Sequence, residues 1–260
     1  MSKTPSYVNG HKLLEGKTVL VTAAAGTGIG FSTAQRCAEE GCSALTISDI
    51  HERRLHEAAD KIEAETGLKP HTVLCNVTKE DEVQGMFEAA VEKMGQVDVL
   101  MNNAGLGGYA KIVEMTDEQW NVVLDVTLNG TFRTMRAGLK HMMPRGAGVI
   151  VNNASVLGWR AQEGQAHYAA AKAGVMALTR CAAIEAAEAG VRINCVAPSL
   201  AMHPFLAKVT PPGLLEELQK KEAFGRGAEP WEIANVMIFL ASEYSSYMTG
   251  EVLSVSSQRA

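Results

Sequence analysis

Seven short runs rich in Val, Ile and Leu recur along the chain: KTVLVT, SALTISD, HTVLCNV, VDVLMNN, GVIVNNA, RINCVAP and VLSVSS. Each is too short for a packed helix, and near-continuous apolar character predicts strands buried on both faces. Between them lie longer stretches, at residues 28–40, 52–66, 79–94, 116–141, 165–189 and 231–242. These space their apolar positions by three and four, the signature of helices with one buried face. Strand alternating with helix predicts an α/β fold, with a parallel sheet of about seven strands and helices on both faces. Right-handed crossovers and a reversal of strand order near the first strand would open a crevice at the strands' C-terminal ends. Without an internal repeat or linker, residues 1–260 read as a single domain.

The alternation breaks between residues 198 and 230, which hold Pro198, Pro204, Pro211, Pro212 and Pro230 around one short helical piece, GLLEELQKKEAF. An insertion of this length at the crevice end predicts a substrate lid. Leu200, Met202, Phe205, Leu206, Leu214, Leu215 and Leu218 form an apolar substrate surface in that reading; alternatively they bury against their own domain. Leu157, Trp159 and Tyr109 are candidates for the opposite wall. Arg160 and Lys208 would meet an anionic substrate tail, or else are solvated surface charge.

Composition narrows the partners. A net charge of −5 with scattered basic residues argues against nucleic acid or an anionic membrane as a partner. No apolar run approaches the length of a membrane span, and the polar start MSKTPSYVNGHKLLEG lacks a signal-peptide core. The five cysteines, Cys37, Cys42, Cys75, Cys181 and Cys195, include no C-x-x-C and read as core thiols of a reducing, cytoplasmic compartment. The seven histidines form no ligand cluster, so no metal is expected.

The chemistry concentrates in two places. In KTVLVTAAAGTGIG a strand turns into a glycine loop and then a helix. Gly26, Gly28, Ile29 and Gly30 would let the backbone and the helix N-terminus approach a pyrophosphate. Asp49 ends the next strand, where a carboxylate accepts hydrogen bonds from ribose hydroxyls and repels a 2′-phosphate. With Ile50 adding no cation, this favours NAD; Asp49 as a helix N-cap is the alternative. Further on, Ser155 stands thirteen residues before Tyr168, and Lys172 four after it. On one helix, Tyr168 and Lys172 share a face, so the ammonium would favour the phenolate. Bringing a tyrosine near neutrality requires a drop of roughly three units, or about 4 kcal/mol. Chance explains many Tyr-x-x-x-Lys pairs, but here Ser155 and the glycine loop accompany it. His167, one residue from Tyr168, reads as a surface or packing residue.

Taken with Asn102-Asn103-Ala104-Gly105 and RINCVAPS, these motifs make the chain resemble a short-chain dehydrogenase/reductase from about Leu14 onward. The resemblance implies a Rossmann-like, doubly wound sheet and hydride transfer between a nicotinamide cofactor and a secondary alcohol or ketone. It implies Tyr168 as acid/base, Ser155 polarising the substrate oxygen, and Lys172 binding the nicotinamide ribose and lowering the tyrosine pKa. It places Asn103, Ala104 and Gly105 beside the adenosine ribose, Asn76 and Val77 at the adenine, and Pro198 near the nicotinamide, and it implies a homo-oligomer, a dimer or tetramer.

The chain also departs from the family. Ala23 stands where the loop usually begins with glycine, and Gly26 is expected to restore the freedom lost. Asn76 replaces the usual aspartate, yet its amide still accepts a hydrogen bond. Thr127 aligns with the family's fourth catalytic residue, an asparagine that holds a relay water; Asn129 would point elsewhere. Ser199, His203 and Ser256-Ser257 replace other cofactor-side residues. The expected function is NAD-dependent oxidoreduction of a hydrophobic secondary alcohol or ketone, with a steroid-fragment ring or an acyl-CoA as the small-molecule substrate. The alternatives are a 3-oxoacyl-thioester reductase and a catalytically silent dinucleotide sensor.

Overall fold

The computed structural model describes residues 3–202, 206 and 213–257. Its seven strands are β1 Thr18–Thr22, β2 Ala44–Asp49, β3 His71–Leu74, β4 Val99–Asn102, β5 Gly148–Asn153, β6 Val191–Pro198 and β7 Val252–Val255. They form one parallel sheet in the order β3-β2-β1-β4-β5-β6-β7. The order reverses between β1 and β4, so the crevice opens there, above Thr22 and Asn102. The register sets Leu20 beside Leu100, Met101 beside Val151 and Asn102 beside Asn152.

Eight α-helices cover the sheet among the described residues. They are α1 Ile29–Glu39, α2 Glu52–Thr66, α3 Glu80–Met94, α4 Asp117–Leu124, α5 Gly130–Met142, α6 Ala166–Ala187, α7 Leu214–Lys221 and α8 Pro230–Ala241. Val19, Val21, Leu45 and Ile47 pack with α1, α2 and α8 residues, including Ala34, Ile62 and Ile233. Leu20, Leu100 and Ile150 pack on the other face with α3, α5 and α6, including Met86, Met135 and Ala186. Both faces of the central strands are thereby sealed, as their unbroken apolar sequence requires.

Local signals place the ends. Thr116 and Gln119 form a reciprocal capping box that starts α4, and Pro230 occupies the first turn of α8 behind the Glu229–Glu232 box. The continuous helix expected over 116–141 is instead interrupted by a π-helical turn, Asp125–Asn129. Within it the Thr127 hydroxyl is bound to Leu106, and the Thr127 carbonyl accepts from the Thr131 hydroxyl at 2.7 Å. Such turns recur as single-turn bulges inside α-helices.

The lid region is only partly described. Leu200 is buried, Met202, Leu206, Leu214, Leu215 and Leu218 are half-buried, and α7 supplies the short helix expected there. His203, Pro204, Phe205, Lys208, Pro211 and Pro212 lie outside the described residues. No helix among the described residues is long and apolar enough to cross a membrane. Cys37, Cys42, Cys75 and Cys195 are buried and Cys181 is exposed, all as free thiols.

Candidate active site

The glycine loop leaves β1 through a residue that dislikes the conformation it adopts. Ala23 has φ +51°, a left-handed backbone that costs a non-glycine residue about 1 kcal/mol or more. Gly26 follows at φ +101°, the freedom expected of it. The loop is pinned on three sides: Ala24 N donates to Ser48 O at 3.0 Å, Ala25 N to Asp49 Oδ2 at 3.1 Å, and Asn103 Nδ2 to Ala23 O at 3.1 Å. Gly28 caps α1 and Ile29 opens it, with no acidic residue in the first turn. Space lies open within 4 Å where side chains on Gly26 and Gly28 would sit. Gly30 is the opposite case, since a β-carbon there would meet Ala23 O at 2.1 Å and Asn103 Nδ2 at 2.4 Å. An uncrowded cradle of backbone at a helix N-terminus fits a dinucleotide pyrophosphate.

At the adenosine end, Asp49 spends each oxygen on the backbone, Oδ2 on Ala25 and Oδ1 on His51 at 3.1 Å. It does not cap α2, whose N-cap is His51. Burial raises its pKa, against the Ala25 amide and the charge of Arg54 on the first turn of α2. The expectation that no cation neighbours Asp49 is therefore corrected by Arg54. Asn76 Oδ1 accepts from both the backbone and the hydroxyl of Thr78, at 3.1 and 2.9 Å. In the protein alone both acceptor positions of that amide are engaged locally. Val77 is buried against Gly130 at the start of α5.

The reacting groups converge at the ends of β4, β5 and β6. Ser155 caps a tight turn, Val156–Gly158, accepting from Leu157 N at 3.2 Å and reaching Pro198 O at 3.5 Å. Its hydroxyl also faces Tyr168 and favours the phenolate. Lys172, buried on α6, donates to Asn153 O at 2.6 Å and lies 5.5 Å from the Tyr168 ring centre. Gly107 packs on that ring, and Gly105 sits between Lys172 and Thr127. Tyr168, Lys172 and Ser155 are thus brought together as expected.

Their protonation is not as expected. Burial pushes Tyr168 up to about 12, and only the Ser155 hydrogen bond opposes it. Burial pushes Lys172 down to about 8, opposed by Cys195. In the protein alone desolvation exceeds the lysine–phenol attraction, so the lowered tyrosine pKa expected from helical spacing is absent.

Thr127 is fully buried, and its hydroxyl accepts from Leu106 N at 2.9 Å and donates to Leu106 O at 3.0 Å. The group expected to hold a relay water instead clips the loop that follows β4. Asn129 turns away to Asp125 at 3.2 Å, as its offset on the helix predicts. Ala104 N and Asn103 N both donate to Thr22 Oγ1, at 3.1 and 2.9 Å. His167 is buried against Gly108, so it is a packing residue. Trp159 and Tyr109 are 51% and 44% exposed, Leu157 is half-buried, and Arg160 is engaged within the protein. Ser257 Oγ donates to buried Glu222 at 2.7 Å.

A family model described as Enoyl-(Acyl carrier protein) reductase matches residues 23–257, and a Mycobacterium tuberculosis protein is 57% identical over 260 residues. The chain belongs to the short-chain dehydrogenase/reductase family. The tuberculosis protein is a (5R,7aS)-5-hydroxy-7a-methyl-1-oxo-2,3,5,6,7,7a-hexahydro-1H-indene-carboxyl-CoA reductase; the match covers 99% of this chain and 98% of that one. A second dehydrogenase/reductase relative, the 3-oxoacyl-[acyl-carrier-protein] reductase FabG of Thermotoga maritima, is 38% identical, over 93% of this chain and 97% of its own. Among solved structures, a short chain dehydrogenase from Mycobacterium smegmatis has a TM-score of 0.88 at 56% identity, covering 99% of both chains. An NAD+-bound xylitol dehydrogenase also has a TM-score of 0.88, at 30% identity, over 94% of this chain and 99% of its own. As a family member the chain is an oxidoreductase using a nicotinamide dinucleotide. Sequence reasoning passed over Asn153 and the Thr22 hydroxyl, both of which hold site residues in place. The doubled asparagines, Asn102-Asn103 and Asn152-Asn153, were the available signal.

Proposed function

We propose that the chain transfers hydride between NAD(H) and a secondary alcohol or ketone on a hydrophobic ring that carries a coenzyme A thioester. The observation that carries the chemistry is the meeting of Ser155, Tyr168 and Lys172 at the strand ends, beside an uncrowded pyrophosphate cradle. Similarity to the hexahydroindene-carboxyl-CoA reductase supports the ring and the thioester, and the exposed rings of Trp159 and Tyr109 offer an apolar wall.

When bound, the nicotinamide would supply or accept the hydride. Tyr168 exchanges a proton with the substrate oxygen, and Ser155 holds that oxygen by hydrogen bonding. Lys172, anchored on the Asn153 carbonyl, would hold the nicotinamide ribose, and its positive charge favours the phenolate of Tyr168. The backbone at Gly26, Gly28, Ile29 and Gly30 would receive the pyrophosphate, and Asp49 would hold the adenosine ribose. Asn103, Ala104, Gly105, Val77 and Pro198 shape the rest of the cofactor surface. Val122, Phe132 and Ile184 are exposed on α4, α5 and α6, which supports a homo-oligomer joined through these helices.

The experiment is NADH oxidation, and the reverse reaction, on a panel of ring-ketone CoA thioesters and 3-oxoacyl thioesters. Faster turnover of the ring ketones supports the proposal. Faster turnover of 3-oxoacyl thioesters favours the reading suggested by FabG. Tight NADH binding with no turnover of either class would leave a dinucleotide sensor.

A further inference from the structure

Ala23 holds a conformation that glycine takes freely and alanine resists. Something in the fold must over-determine it. Its carbonyl accepts from Asn103 Nδ2 at 3.1 Å, and the same amine reaches Thr22 O at 3.4 Å. Asn103 is itself gripped, because its Oδ1 accepts from Asn153 Nδ2 at 2.8 Å. The amide orientations follow from this chain of contacts. Ala23 O demands a donor, so Asn103 presents nitrogen to it and oxygen to Asn153; Asn153 must then present nitrogen.

That leaves Asn153 Oδ1 buried and without a hydrogen bond among the described residues. An orphaned acceptor is unfavourable, and an apolar side chain at this strand position would avoid it. Packing therefore does not explain the amide, whereas the grip on Asn103 does. The same residue's backbone carbonyl anchors Lys172 at 2.6 Å.

We propose that Asn153 is a positioning residue for cofactor binding. Through Asn103 it holds Ala23 in the left-handed conformation that keeps the phosphate-binding loop open. This rests on the dinucleotide reading above. It also explains how the loop tolerates alanine at its first position, since the amide pair does what a glycine would do without help.

The test is a double-mutant cycle on the full-length protein, read by NADH fluorescence titration, with circular dichroism confirming the fold. Asn153→Val should raise the NADH dissociation constant about tenfold, the effect of losing one buried amide hydrogen bond. Adding Ala23→Gly should bring it back to within about threefold of wild type, because glycine needs no holding. Such a rescue is not expected if Asn153 merely supports the core. An unchanged constant in Asn153→Val, or a loss that Ala23→Gly does not repair, overturns the proposal. Should Asn153→Val fail to fold, Asn153→Thr is read in the same way. Wild type that binds neither NADH nor NADPH would instead overturn the dinucleotide reading itself.

Discussion

At the scale of single residues the site is governed by burial. Tyr168 is pushed up to about 12 and Lys172 down to about 8 before any ligand binds. Lys172 therefore loses its charge as pH rises through about 8, two units or more earlier than a solvated lysine. Since kcat/KM reports ionisations of the free enzyme, it should fall above about pH 8; a profile flat to pH 10 would remove Lys172 as the controlling group. Tyr168→Phe should abolish nearly all turnover while NADH still binds, because only the proton-transfer oxygen is lost. Retained turnover would overturn the role of Tyr168. Thr127 offers a different test. Its hydroxyl makes both backbone bonds to Leu106, an exposed loop residue, so Thr127→Val frees that N–H and C=O toward water. A loss of about 1 kcal/mol in unfolding free energy is expected, with lower turnover, whereas Thr127→Asn can supply both a donor and an acceptor. Equal melting temperatures for wild type and Thr127→Val would reduce this contact to packing. The proposed NAD preference rests on Asp49, whose charge Arg54 tempers. NADH should bind more tightly than NADPH, and Arg54→Ala should widen the ratio. Titration of both cofactors decides this, and equal affinities in wild type would end the NAD reading.

At the scale of elements, the closest fit is between loop and helix. Gly30 lets α1 approach the Ala23 carbonyl, and a methyl group there collides with backbone that Asn103 already holds. Gly30→Ala should cost about 1–3 kcal/mol as an overpacked site and should weaken NADH binding through the loop. Unfolding and titration curves matching wild type would show that the loop yields. This strand–loop–helix unit was plain in KTVLVTAAAGTGIG because apolar periodicity and glycine punctuation are local properties. So were all seven strands, and α2 agrees at both ends with its expected span of 52–66. The π-helical turn at Asp125–Asn129 was not legible, because apolar spacing alone does not distinguish it from the α-helix around it. The local bonds of Asn76 were not legible either, since they depend on where the hydroxyl and amide of Thr78 settle. The pKa values escaped the sequence too, since spacing reveals a neighbouring charge but not the depth of burial.

At the scale of the whole molecule, binding and stability are served at opposite ends of α1. Its N-terminus faces the cofactor cradle, while its C-terminal turn is strapped to the start of the chain. Arg36 NH1 donates to Val8 O at 2.7 Å, and Glu40 accepts from the amides of His11 and Leu13 at 2.7 and 3.1 Å. The two side chains also pair with each other, and both are almost wholly buried. Outside the strap, the Tyr7 ring meets Trp231 of α8 edge-on at 5.3 Å. A buried pair adds little net stability over apolar packing, but removing one partner leaves the other less well compensated. Arg36 also pairs with Glu39 at 2.8 Å, so Glu40→Ala leaves the guanidinium one carboxylate while releasing two backbone amides at once. Its melting temperature should therefore fall by several degrees or more. Eleven residues of helix, about 16 Å, separate this strap from Gly28, so NADH affinity measured well below the melting transition should match wild type. A variant that melts normally would show that the strap is not part of the core. One that melts early and also loses NADH affinity would show that α1 transmits the disturbance from the strap to the cradle.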